Sequence, residues 1–269
     1  MSTPISNISI QRLEQFSLHL NRTVILDVYV DLHQLKNEET SLLLINDGQD
    51  LLKMDMDVIL QKMHISTSIN PLLVVGIHCN ENRKNEYGTA HVLDYLDRGN
   101  QSSQYQTYIV AELIPFIKRM FNINTFKQKA IAGFSLGALS AVDTALNHPG
   151  KFAVVGAFSG AFWWRDKDQF AKDFDENKNR ILHQRVQKSA YQPSLRFFFE
   201  AGQLDETADR NNNGIIDSID DTLDLIAALK QIGYHHPSEI HYLELADGKH
   251  NIATWAITMP YFLEWAFHI

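Results

Sequence analysis

The sequence predicts an α/β fold with a mostly parallel central sheet flanked by helices, on three observations. Short apolar runs alternate with helical patterns along the 269 residues. The runs are hydrophobic almost without interruption, the composition of strands buried on both faces. No Pro-, Gly- or Ser-rich linker and no fixed-period repeat divides the chain, so residues 1–269 are expected to form one domain.

The elements follow in order. TVILDVYV (23–30) and SLLLIND (41–47) read as strands from their β-branched and aliphatic content. LLKMDMDVILQKM (51–63) repeats its apolar residues at helical spacing, and PLLVVGIHC (71–79) returns to a continuous apolar run. The helical pattern YIVAELIPFIKRMF (108–121) precedes the strand KAIAGFS (129–135) and the alanine-rich helix LGALSAVDTALN (136–147). FAVVGAFS (152–159), LRFFFEAG (195–202) and EIHYLELA (239–246) supply the remaining strands, with helices at DTLDLIAALKQI (221–232) and ATWAITMPYFLEWAF (253–267). Helices of this length between strands act as crossovers and make neighbouring strands parallel. Ligands of such sheets sit at the carboxyl ends of the strands.

Composition narrows the partners. The formal net charge of −8 disfavours a phosphate-tracking surface, so no nucleic acid is expected and a small molecule fits better. The first residues lack a basic segment followed by an apolar one, and no stretch of about 20 apolar residues occurs. A soluble cytoplasmic protein with no membrane partner is therefore expected. The single cysteine, Cys79, cannot form an internal disulfide, which agrees with a reducing compartment.

Gly133-Phe134-Ser135-Leu136-Gly137 lies between a predicted strand and a predicted helix, the context of a nucleophile elbow. Small residues at 133, 137 and 138 let strand and helix approach while the serine projects from a strained turn. The helix start aims N–H groups at the site, and that of Leu136 is a candidate oxyanion donor. A serine hydroxyl needs a histidine base and a carboxylate to orient it. In the α/β-hydrolase order of serine, acid, histidine, both partners lie downstream. Of the histidines there, His148 ends a helix, His241 lies in a strand, and His235 and His236 occupy a helix-to-strand connection. His250 stands just beyond the last predicted strand, at the carboxyl edge, and is the candidate base. The loop after LRFFFEAG offers Asp205 and, as an alternative, Glu206 as the acid.

Five segments in order, LLLINDGQDLL, VVGIHCNENRKNEY, AIAGFSLGALSA, HPGKFAVVGAFSGAFWW and DGKHNIATW, resemble the Putative esterase family of α/β-hydrolases, which includes enterochelin-type siderophore esterases, esterase D-like enzymes, feruloyl esterases and mycolyltransferases. The resemblance runs from about Ile10 to the end of the chain. It implies a serine esterase with a triad at Ser135, Asp205 and His250, and a second oxyanion donor at the N–H of Gln49. It also implies pocket or lid positions at Trp163 and Trp164, with core packing the alternative for one of the two, and a supporting Arg83-x-x-Glu86-Tyr87 motif whose Arg83 is a candidate pocket residue. The loops named contribute only Arg83, Lys84, Arg165 and Lys249 as cations, which favours a general carboxylic ester over an anionic iron–catecholate.

Residues 209–220, DRNNNGIIDSID, match a calcium loop of the EF-hand type, with Asp209, Asn211, Asn213, Gly214, Asp217 and Asp220 at positions 1, 3, 5, 6, 9 and 12 and the carbonyl of Ile215 at position 7. A structural calcium is the expectation. Catalysis by the triad would need no cofactor. Acyl transfer or thioester hydrolysis by the same residues, and a non-catalytic calcium-binding protein on a hydrolase scaffold, are the rival readings.

Overall fold

The computed structural model describes residues 7–66 and 69–268. Eight strands, β1 (Ser9–Ser17), β2 (Arg22–Val30), β3 (Ser41–Asn46), β4 (Leu72–Ile77), β5 (Lys129–Phe134), β6 (Val154–Phe158), β7 (Arg196–Leu204) and β8 (Ile240–Lys249), form one sheet in the order β1-β2-β4-β3-β5-β6-β7-β8. β1 and β2 pair antiparallel, as do β2 and β4, and every other pair is parallel. The seven expected strands are all present. The eighth, β1, alternates half-buried and exposed residues, SIQRLEQFS, because it forms an edge hairpin with one face to water. Its alternation is weakly hydrophobic, so a search for continuous apolar runs passes over it.

Helices cover both faces. On one side pack α3 (Ser102–Thr107), a π-helical segment (Tyr108–Leu113), α4 (Ile114–Met120), α5 (Leu136–Asn147), α7 (Ile181–Gln187) and α8 (Asp217–Gln231). On the other lie α1 (Met56–Ile65) and α9 (Ile252–Phe267), with Leu60 and Phe262 in their buried cluster. Short helices α2 (Arg83–Glu86) and α6 (Glu176–Asn179) sit in connections. Adjacent residues of β3 divide between the layers, Leu42 and Leu44 into the first, Leu43 and Ile45 into the second. This explains the absence of alternation in its sequence. Three helix starts differ from expectation: 51–55 form turns ahead of α1, helical residues ahead of Tyr108 begin at Ser102, and α8 begins at Asp217, four residues before the expected start.

β5 to β8 run parallel, so their carboxyl ends lie on one edge of the sheet. Phe198 anchors this half from beneath, fully buried with its ring 5.8 Å from that of Phe158 and 5.4 Å from that of Phe262. Phe198→Ala would remove this packing and leave a cavity, with an expected loss of about 3–5 kcal/mol in urea unfolding. A loss under about 1 kcal/mol would mean that the layer closes around the gap.

Candidate active site

Ser135 follows β5 directly and precedes α5, with φ 54° and ψ −121°. A non-glycine residue at positive φ costs on the order of 1–3 kcal/mol, so the surroundings must impose it. They do so by close backbone approach: a Cβ on Gly133 would lie 2.4 Å from the carbonyl of Gly137. The Ser135 N–H is meanwhile fixed to the Phe158 carbonyl at 2.9 Å, and the Ser135 carbonyl accepts from Ala161 N at 3.1 Å.

A cavity of about 290 Å³ brings Ser135, Asp205 and His250 together, with Ser159, Gly160, Ala161, Trp163, Glu206 and Ser218 in its wall. His250 follows β8 and meets the Trp255 ring edge-on at 5.4 Å. Burial lowers its affinity for a proton, the Asp205 charge restores part of it, and the charge of Arg83 opposes it. Asp205 follows β7. Its Oδ2 accepts from Gly202 N at 3.2 Å, while Oδ1 is buried without a partner. Burial raises its pKa, and the Gly202 N–H and the Ser159 hydroxyl pull it back. The alternative acid, Glu206, lines the same cavity but accepts from Ser218 N at 2.6 Å at the start of α8.

Leu136 opens α5 and Gln49 is the second residue of a 3₁₀ turn, Gly48–Asp50. Their N–H groups precede any intrahelical acceptor. The Gln49 turn is built on Asp47, which has φ 61° and is gripped by Arg83 through two contacts of 2.7 Å. Arg83 reaches toward the Phe134 carbonyl at 3.5 Å, and Tyr87 Oη accepts from Asp47 N at 3.0 Å. Gln49 Oε1 accepts from Cys79 N at 3.2 Å. Gly48 is required because a Cβ there would sit 2.2 Å from the Gly76 carbonyl carbon of β4. Arg83, expected as a pocket residue, is thus a brace for the turn and is absent from the cavity wall.

Trp163 lines the cavity as expected, whereas Trp164 is fully buried beneath it, with the Arg98 guanidinium 4.8 Å from its ring. Its expected pocket role is corrected to core packing: the backbone after β6 turns only one of the two rings outward.

The calcium expectation finds no support among the described residues. Asp209 accepts from Asn213 N at 3.1 Å and Gly214 N at 2.9 Å, and Asn213 Oδ1 from Ile215 N at 2.8 Å. Asp220 Oδ2 accepts from the side-chain amides of Asn211 and Asn213 at 2.8 and 2.9 Å. Asp217 turns away, accepting from Arg210 N at 2.8 Å. The Asp220 carboxylate is thus taken up by two side-chain amides within the loop. Among the described residues, no group of three His, Cys, Asp or Glu side chains could hold a metal. The segment is a hydrogen-bonded loop leading into α8.

Two residues escape the sequence reading. Ser159, after β6, has φ 44°, accepts from Trp255 Nε1 at 2.9 Å and donates toward Glu200 Oε2 at 3.4 Å. Glu200, in β7, is buried, with Oε1 unpartnered. Burial, with the Asp205 charge adding to it, pushes its carboxyl up to about 8. The available signal is a lone charged residue inside the apolar run LRFFFEAG.

Fold and site together define an α/β-hydrolase. Residues 20–265 match the family described as Putative esterase, and the chain belongs to that family of carboxylic ester hydrolases. No curated protein matches the chain. Among solved structures, the enterobactin esterase FES from Shigella flexneri is similar over 96% of this chain, at TM-score 0.68 and 20% identity. This chain spans 59% of that protein's length. The siderophore hydrolase EstB from Aspergillus nidulans is similar over 100% of this chain and 97% of its own, at TM-score 0.73 and 15% identity. An IroE-like serine hydrolase from Shewanella oneidensis covers 96% and 79%, at TM-score 0.68 and 19% identity. These likenesses establish the fold. No helix among the described residues is long and apolar enough to cross a membrane.

Glu200 yields a stability prediction. Its folded pKa of about 8 lies above the ordinary 4.5, so the folded state keeps a proton that the unfolded chain releases between those values. Stability is therefore lost as pH rises through that window and the loss is complete above it. Glu200→Gln keeps the neutral shape and lacks this term. The melting temperature of the variant relative to wild type should climb steadily from about pH 5 to about 8.5, across that same window. A pH-independent difference would show Glu200 to be ionised in the fold.

Proposed function

We propose that the protein hydrolyses small-molecule carboxylic esters through an acyl-enzyme on Ser135, supported above all by the meeting of Ser135, Asp205 and His250 in one cavity. His250 takes the hydroxyl proton as Ser135 Oγ attacks the ester carbonyl, then gives it to the departing alcohol. A water activated by the same imidazole releases the acid. Asp205 orients His250 and balances its transient positive charge, a role supported by the effect of its charge on His250 and by the unpartnered Oδ1. Glu206 is held by Ser218 N and leaves this role to Asp205.

The tetrahedral oxyanion is bound by the N–H groups of Leu136 and Gln49. Such donors contribute only when they are preorganised. That is the task of the Asp47–Arg83 pair: it fixes the turn bearing Gln49 and reaches the end of β5. Every step uses side chains and backbone of this chain. Enterobactin esters belong to the relative from Shigella flexneri by its description. For this chain, the class proposed is a small ester whose leaving group or acyl part fits beside Trp163.

Ser135→Ala should lower kcat on p-nitrophenyl acetate by several orders of magnitude with an unchanged melting temperature. Asp205→Asn should cost far more activity than Glu206→Gln, and the reverse order would exchange their roles. Because burial lowers the His250 pKa, the base is neutral down to pH values below the ordinary 6.5 for imidazole. The rising limb of kcat/KM against pH should therefore have its midpoint below that value, and a midpoint above about 7 would contradict this assignment of the base.

A further inference from the structure

Past Trp163, the catalytic cavity adjoins a second cavity of about 300 Å³. Trp163 and Glu206 line both, so the two spaces are immediate neighbours. Its wall carries three guanidinium groups, Arg98, Arg165 and Arg210, beside Tyr95 and Leu96.

Two of the three are committed. Arg98 is ion-paired with Asp94. Arg210 is ion-paired with Glu176, Asp217 and Asp221. Arg165 differs from both. Among the described residues no carboxylate pairs with it, its Nη1 donates to the neutral Gln169 Oε1 at 2.7 Å, and its Nε is buried with no partner. Its guanidinium lies 5.9 Å from the Trp163 ring centre and 5.8 Å from that of Phe174. Of the carboxylates in the wall, Asp217 is ion-paired with Arg210 and Glu206 accepts from Ser218 N.

A buried guanidinium N–H without an acceptor is costly unless a ligand supplies one. Arg165 lines the cavity with no carboxylate partner among the described residues, and a planar guanidinium matches the two oxygens of a carboxylate. We propose that the second cavity is a subsite for a carboxylate carried by the ester substrate, bound by Arg165 while the intervening chain crosses Trp163. The substrate class is then an anionic ester, with its carboxylate separated from the scissile carbonyl by a spacer that reaches from one cavity to the next. The proposal rests on Ser135 being the nucleophile.

The test uses p-nitrophenyl monoesters of dicarboxylic acids of increasing length, each compared with the same compound bearing a terminal amide. At one spacer length the wild-type enzyme should prefer the free carboxylate by about tenfold or more in kcat/KM, the effect of one charge-assisted hydrogen bond. The preference should appear mainly in KM and weaken at high salt. Arg165→Gln should bring the ratio to about one, and Arg165→Lys should keep part of it. A wild-type ratio near one at every length overturns the subsite, as does a ratio unchanged by Arg165→Gln. If neither compound is hydrolysed, or if Ser135→Ala hydrolyses the amide series like wild type, the nucleophile assignment fails and the subsite with it.

Discussion

The hydrogen bond from Ser135 N to the Phe158 carbonyl, 2.9 Å long, is the contact on which the site depends. It extends the β5–β6 ladder one residue past the end of β5, into the residue whose φ has turned positive. A second bond repeats the device one strand over, from Ser159 N to the Glu200 carbonyl at 2.9 Å, again at a positive φ. The parallel ladder thus carries two strained residues side by side at the sheet edge, Ser135 to face the cavity and Ser159 to meet Trp255 and Glu200. Strain of this kind persists only where surrounding contacts over-determine it. Close glycine packing and a continuous ladder supply that condition here.

The electrostatics of the site follow from the same edge. Asp205 and Glu200 both stand near the end of β7, so two carboxyl groups share a poorly solvated region. They need not both be charged. Burial raises both, Glu200 to about 8, while the Gly202 N–H and the nearby His250 pull Asp205 part of the way back. Separated environments of this kind let one acid remain ionised beside another that stays neutral. On the opposite side, Arg83 pairs with Asp47, so the turn bearing Gln49 carries a brace whose net charge is zero.

Much of this is legible in the sequence because its causes are local. The Gly133-Phe134-Ser135-Leu136-Gly137 turn needs small residues at fixed positions, and chain order directs the search for His250 past the last strand. β1 escapes for a physical reason: an edge hairpin buries little, so its residues need not be apolar. Glu200 is passed over because a strand residue reads as structural until its neighbours are known. The loop from Asp209 shows the limit of spacing alone. Its spacing satisfies a ligand pattern, but spacing does not say whether carboxylates meet a cation or the amides of Asn211 and Asn213.

Charge shows most plainly where sequence reasoning stops. A net charge of −8 and few cations in the recognisable loops point away from an anionic ligand. Yet a guanidinium acts over a few ångströms, and its effect depends on whether it is paired, which composition does not reveal. Arg98 and Arg210 enter the second cavity from segments far apart in the chain, and both arrive with carboxylates attached. Arg165 follows Trp163 and Trp164 directly in the chain and arrives without one. Pairing, more than count, therefore decides how much of a guanidinium's charge is left to act on its surroundings, even within an acidic protein.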